Sequence, residues 1–351
     1  MKPLAAIWRV LSRRRFLGSS ARGLGAIAVV ASSGRPARAA AGSADANPYA
    51  YDISAHQKTD PRLIKYTEAR RFKSPRAGAR RLALVGVDRL GLAAGNGVVL
   101  LDFAGAMVGE IAVGAPVRCL AAAADGTIYV SVREHVEVFD AGGQRRATWD
   151  SPGAKTWISG LAVGPNDVYA ADSGNRVVLR YDRSGRGVIG RIGEKDPARN
   201  IPGLVLPSPY LDVKLTAEGL VCVNNPGRHR VELYSPAGDL QQAWGRPSIA
   251  IDGFCGCCNP VAVAPLPDGR VVTCEKGLPR VKVSTAQGEL DGVVAGPESF
   301  PENARIGAGE TLSDGTKSSL DAVVDPRGSV WVLDTVTGDL REFTRNAGAK
   351  S

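Results

Sequence analysis

A short pattern of apolar strands and tight turns recurs along this chain, and a unit that small buries its apolar face only by stacking on copies of itself. Leu161-Ala162-Val163-Gly164-Pro165-Asn166-Asp167-Val168-Tyr169-Ala170-Ala171-Asp172 gives a strand, a turn and a second strand. Asn175 to Gly185 adds a third strand with its own turn. Equivalent stretches begin at Leu120, Val213, Val261 and Ala322, and residues 82–112 carry a shorter, degenerate one, which makes six. The first turn recurs at 125, 166, 218, 268 and 327, at intervals of 41, 52, 50 and 59 residues. Asp-Gly, Pro-Asn and Pro-x-Gly turns between short alternating strands are hairpin chemistry, and no window holds a sustained helical period. The pattern predicts an all-β six-bladed β-propeller of four-stranded antiparallel blades over residues 82–345, followed by a tail of residues 346–351. A pair of β-sandwiches is the competing architecture, and the regular spacing argues against it. Residues 42–81 form a leading segment, in which Arg62 to Lys73 can supply the outer strand that the last unit lacks.

The third unit resembles the NHL-repeat family, whose motif runs apolar-Ala-Val-Asp-x-x-Gly-x-Ile-Tyr-Val-Ala-Asp-x-x-Asn-x-Arg-Val. The resemblance extends over roughly residues 82–345, more loosely in the first and last units. It implies an NHL-like propeller, with the aspartates that end second strands bracing their turns.

In such a blade the turn between strands two and three and the link to the next blade share one rim. The excess length falls in residues 194–209, 245–259 and 297–318, all links, so this rim is the expected working face.

Residues 1–41 contain eight basic side chains and no acidic one. Removing them lowers the formal charge from +9 to +1, so the basic excess belongs to this segment and not to a nucleic-acid surface. Ser12-Arg13-Arg14-Arg15-Phe16-Leu17, a weakly apolar stretch and the small residues Ala37-Arg38-Ala39-Ala40-Ala41 have the order of an export signal. A basic membrane-surface helix is the alternative. The Arg-Arg-x-Phe-Leu core resembles the twin-arginine translocation signal, which implies a periplasmic protein, exported already folded and often around a cofactor. No apolar run is long enough to span a membrane after cleavage. A monomer is expected.

Ile251-Asp252-Gly253-Phe254-Cys255-Gly256-Cys257-Cys258-Asn259-Pro260 places three thiols in four positions, just ahead of an inner strand of the fifth unit. Cys274 ends the next strand, beside Glu275 and Lys276, and returns to the same rim. Cys255, Cys257, Cys258 and Cys274 are therefore the candidate ligands of a thiolate-bound metal: zinc, copper or an iron-sulfur centre. Their spacing departs from the usual two intervening residues, and an oxidising compartment makes disulfides an equal competitor. Cys119 and Cys222 fall within strands and read as buried thiols. The loop resembles a subgroup of exported NHL-type propellers that carry Gly-Phe-Cys-Gly-Cys-Cys-Asn-Pro.

His135 and His229 lie in rim turns of the second and fourth units, and with Glu275 and Lys276 they are the candidate acid-base groups. No Ser-His-Asp order, phosphate-binding loop or H-E-x-x-H is present. Hydrolytic propellers hold calcium with a Glu/Asn/Asp set that does not map onto this chain, and the amidating lyases of the NHL family use histidines where these inner strands have none. The expected function is an accessory or electron-transfer protein that binds a metal or a protein or redox partner at the rim. A metal-assisted lyase or hydrolase and a disulfide-stapled interaction scaffold are the alternatives.

Overall fold

The structure is a computed structural model and describes residues 53–306 and 319–348. The export segment and much of the 297–318 link lie outside the described residues.

The described strands form six four-stranded antiparallel sheets, as the repeat predicts for a propeller. β1 (Tyr66–Lys73) precedes the first blade, which is β2 (Ala79–Val85), β3 (Arg89–Ala94), β4 (Gly97–Asp102) and β5 (Met107–Ala112). Blade two is β6 (Val117–Ala122), β7 (Ile128–Val132), β8 (His135–Phe139) and β9 (Arg145–Thr148). Blade three is β10 (Ile158–Val163), β11 (Asp167–Asp172), β12 (Val177–Asp182) and β13 (Val188–Ile192). Blade four is β14 (Val213–Leu215), β15 (Val221–Asn225), β16 (Arg230–Tyr234) and β17 (Leu240–Trp244). Blade five is β18 (Ala262–Pro265), β19 (Val271–Cys274), β20 (Val281–Ser284) and β21 (Leu290–Ala295). Blade six is β22 (Leu320–Val324), β23 (Val330–Asp334) and β24 (Asp339–Arg345), and its outermost strand is β1, paired from Tyr66 opposite Arg345 to Lys73 opposite Asp339.

Each blade is covered on both faces by its neighbours, so middle strands such as β7, β15 and β23 are buried along their whole length. The sequence pattern suggested alternation, but a strand with apolar neighbours above and below has no wet face. Outer strands β5, β9 and β13 are largely exposed. Trp331 shows how blades are joined. Its ring lies 5.9 Å from Phe72 of β1 and 5.3 Å from Phe103 after β4, which ties blade six to blade one.

The inner strands surround the axis. A cavity of about 230 Å³ at one end is lined by residues of all six blades, among them Ala83, Leu120, Ala162, Lys214, Ala264 and Val323. A smaller one opens at the other end between Arg81, Arg118, Trp157, Tyr210 and Ser319. Buried ion pairs run between them. Arg81 Nη1 is 2.8 Å from Asp321 Oδ1 and 3.8 Å from Asp212 Oδ2, and Lys214 Nζ is 2.9 Å from Asp212 Oδ1. Burial and the nearby Asp212 charge raise the Asp321 carboxyl. Burial also acts on Asp212, but Lys214 and Arg81 outweigh it and hold that carboxyl below the ordinary range. No helix among the described residues is long and apolar enough to cross a membrane.

Candidate functional site

A residue at the end of the second strand of a blade, or just after it, holds the segment leading into that blade. In blade three, Asp172 Oδ1 accepts from Trp157 N at 2.9 Å, Gly174 N at 3.0 Å and Asn175 N at 3.1 Å. In blade four, Asn224 Oδ1 accepts from Asp212 N at 2.6 Å, and its Nδ2 donates to Tyr210 O at 2.9 Å and to Pro260 O at 2.8 Å. Asp334 of blade six accepts from Val336 N at 2.9 Å and from Asn303 Nδ2 at 3.2 Å. A short polar side chain here replaces the backbone partner that a link leaving the sheet has lost.

Blade five uses a longer acid for the same task. Glu275 is fully buried, and its Oε2 accepts from Cys255 N at 3.2 Å. Arg280 grips the carboxylate through Nε at 3.0 Å and Nη2 at 2.7 Å, and Lys282 Nζ sits 2.8 Å from Oε1. Both cations continue outward: Arg280 Nη1 donates to Ile249 O at 2.9 Å, and Lys282 Nζ donates to Ile251 O at 2.9 Å and Gly253 O at 2.6 Å. Burial pulls the Lys282 ammonium down, and Glu275 pulls it back up. The cluster clamps the cysteine loop from beneath. Asn259 closes the loop, with Nδ2 donating to Cys255 O at 2.7 Å and Lys276 O at 2.9 Å while Lys276 N donates to Oδ1 at 2.9 Å.

The four candidate sulfurs divide: two meet on the loop, and Cys274 stays in the core. Cys257 and Cys258 come together, with their sulfurs 3.0 Å apart. Cys257 is exposed; Cys258 is buried, 3.0 Å from the Ser208 hydroxyl. Gly256, at φ +72°, makes the left-handed turn between Cys255 and this pair. Burial and the Glu275 charge raise the Cys255 thiol. Cys274 stays in the core between blades five and six, where burial drives its thiol far up, with Asp321 and Asp212 adding to it. Burial likewise raises Cys258, and the contact with Cys257 acts in the same direction. All six cysteines are free thiols. Among the described residues no three His, Cys, Asp or Glu side chains gather as a metal site. The rim therefore presents two adjacent soft donors, Cys257 exposed and Cys258 buried.

The candidate acid-base groups are dispersed. Glu275 is occupied as above. The Lys276 ammonium lies 5.3 Å over the Tyr210 ring. His229, at φ +56°, meets the Gly256 carbonyl through Nε2, so it touches the cysteine loop. His135 is in blade two, with Nε2 3.4 Å from Glu137 Oε1, and belongs to a different part of the rim. Cys119, 3.1 Å from the Ser131 hydroxyl, and Cys222 are buried within β6 and β15; burial pushes Cys119 up to about 11.

Sequence reasoning missed the cleft beside the thiols. It holds about 400 Å³ and lies between the blade-three turn (Gly174, Arg176) and the following link (Leu206 to Pro209), with Lys155 and Trp157 on its wall. Gly174 lets that turn close on the Lys155 carbonyl, where a Cβ has no room. Trp157 is 37% exposed, and the Arg118 guanidinium stacks 3.3 Å from its ring centroid. A tryptophan immediately before the inner strand of the best-preserved unit was the available signal.

No protein-family model matches the sequence, and no curated protein matches it either. The architecture does recur among solved structures. A streptogramin B lyase is 15% identical over 82% of this chain and 100% of its own, with a TM-score of 0.53. A protein of unknown function from Bacteroides thetaiotaomicron is 14% identical over 80% of this chain and 72% of its own, with a TM-score of 0.56. Virginiamycin B lyase from Staphylococcus aureus is 12% identical over 80% of this chain and 100% of its own, with a TM-score of 0.52. At these identities the likeness is one of fold.

Proposed function

We propose that this propeller is an exported accessory protein that exchanges two electrons with a partner protein through Cys257 and Cys258. One observation carries the proposal: an exposed and a buried thiol, adjacent in sequence, with sulfurs 3.0 Å apart on the loop rim. In the reaction the Cys257 thiolate attacks a sulfur of the partner's disulfide, forming a mixed disulfide and releasing one partner thiolate. Cys258, losing its proton, then attacks Cys257 Sγ, closes the Cys257–Cys258 bond and expels the second partner thiolate. Two electrons and two protons leave the pair and reduce the partner to a dithiol. Reversal reduces the propeller. The twin-arginine resemblance supports a compartment where partner disulfides are abundant.

The same two sulfurs would also receive a soft ion such as copper(I), with the remaining ligands supplied by the partner. The lyase alternative rests only on the fold shared with solved lyases.

Mixing the reduced protein with a small aromatic disulfide is expected to release two equivalents of aryl thiol in a rapid phase. Cys257→Ser is expected to slow that phase at least roughly tenfold, because the remaining thiols are buried or half-buried. Cys119→Ala should leave it unchanged. An unchanged rapid phase in Cys257→Ser contradicts the proposal.

A further inference from the structure

The cleft beside the dithiol has a consistent chemistry. Lys155 and Arg176 are both exposed on its walls, and neither forms an ion pair among the described residues. Arg118 stacks on Trp157 from outside the cleft lining. Asp172, at the end of the strand before the Gly174 turn, is fully buried and turned into its own strand-to-strand bend, where it serves Trp157 N, Gly174 N and Asn175. No acidic residue lines the cleft. An exposed indole, Pro207 and Pro209 line it as well, which suits an extended backbone better than a compact ion. Ser208 also lines it, and its hydroxyl is 3.0 Å from Cys258 Sγ, so the cleft adjoins the residue that contacts the dithiol.

We propose that this cleft receives an extended, acidic peptide segment of the partner, with its carboxylates on Lys155 and Arg176 and its chain across Trp157. The identity of the occupant as the partner's cysteine-flanking segment rests on the exchange reading; the charge and shape of the site do not. Positive side chains steer an acidic segment and fix its register, and the aromatic ring gives contact area at small conformational cost.

The test is an anisotropy titration of a fluorescein-labelled ten-residue aspartate-rich peptide without cysteine against the reduced full-length protein. Saturable binding that weakens as salt rises is expected. Lys155→Glu with Arg176→Glu should weaken it by roughly tenfold or more, and replacing the peptide's aspartates by asparagine should do the same. Both side chains are exposed, so an unchanged unfolding midpoint will show that the double variant is folded. Equal binding by the double variant, or by the asparagine peptide, overturns the proposal. Binding of phosphatidylserine vesicles without binding of the peptide also overturns it. The two readings fail separately. Peptide binding without a rapid thiol phase removes the exchange reading and keeps the acidic-segment site, whereas a rapid phase without peptide binding removes the site and keeps the exchange.

Discussion

Glu275→Ala is expected to lower the stability of the protein by about 3–5 kcal/mol, because it leaves two buried cations without their anion. The Arg280 and Lys282 side chains are only 2% and 4% exposed, and Glu275 is the carboxylate both of them meet. A buried pair adds little net stability over an apolar substitute, so the cost comes from the stranded charges and not from the attraction that has gone. The same substitution removes the acceptor of Cys255 N, and hydrogen exchange at the cysteine loop should accelerate. Chemical denaturation measures the first effect. A loss under about 1 kcal/mol would mean that the two cations find other partners, and that the clamp does not set the position of Cys257.

Removing β1 is expected to do more. A chain that begins at Ser74 lacks the outer strand of blade six. It loses the ladder from Tyr66 to Lys73, the Phe72 packing on Trp331, and the partner of the buried Arg341, which pairs with Glu68. It also exposes the edge of β24 to pairing with other chains. The ring should fail to unfold cooperatively, and a synthetic peptide of residues 62–75 should restore the transition. A cooperative transition at an unchanged midpoint would show that the ring closes without β1.

These two predictions also show what the sequence made readable. Turn chemistry at fixed intervals marked the blades, since Asp-Gly and Pro-Asn turns act locally and do not depend on the rest of the chain. Arg62 to Lys73 stood out because a four-stranded last blade has only three strands of its own. The cysteine loop was placed at the rim by counting connections. Side-chain direction in that loop was not readable. Cys255, Cys257, Cys258 and Cys274 looked like one cluster, yet an irregular loop has no period of two to say which sulfurs face each other. The loop backbone is held by Glu275, Arg280 and Lys282, whose burial depends on how blade five stacks. Lys282 lies on a strand of the fifth unit and Arg280 just before it, and the structure places their buried charges under the loop. The cleft was hidden for a related reason: Lys155, Arg176 and Ser208 come from a link, a turn and the next link, and only the ring brings them together.

The most direct test of the exchange reading is to equilibrate the protein in a glutathione redox buffer, alkylate the remaining thiols and map the bonds by peptide mass. A single disulfide between Cys257 and Cys258 is predicted, two hydrogens lighter than the dithiol, with Cys255 and Cys274 alkylated after denaturation. A bond from Cys257 to Cys255 or Cys274, or no bond under conditions where partner disulfides form, would contradict it.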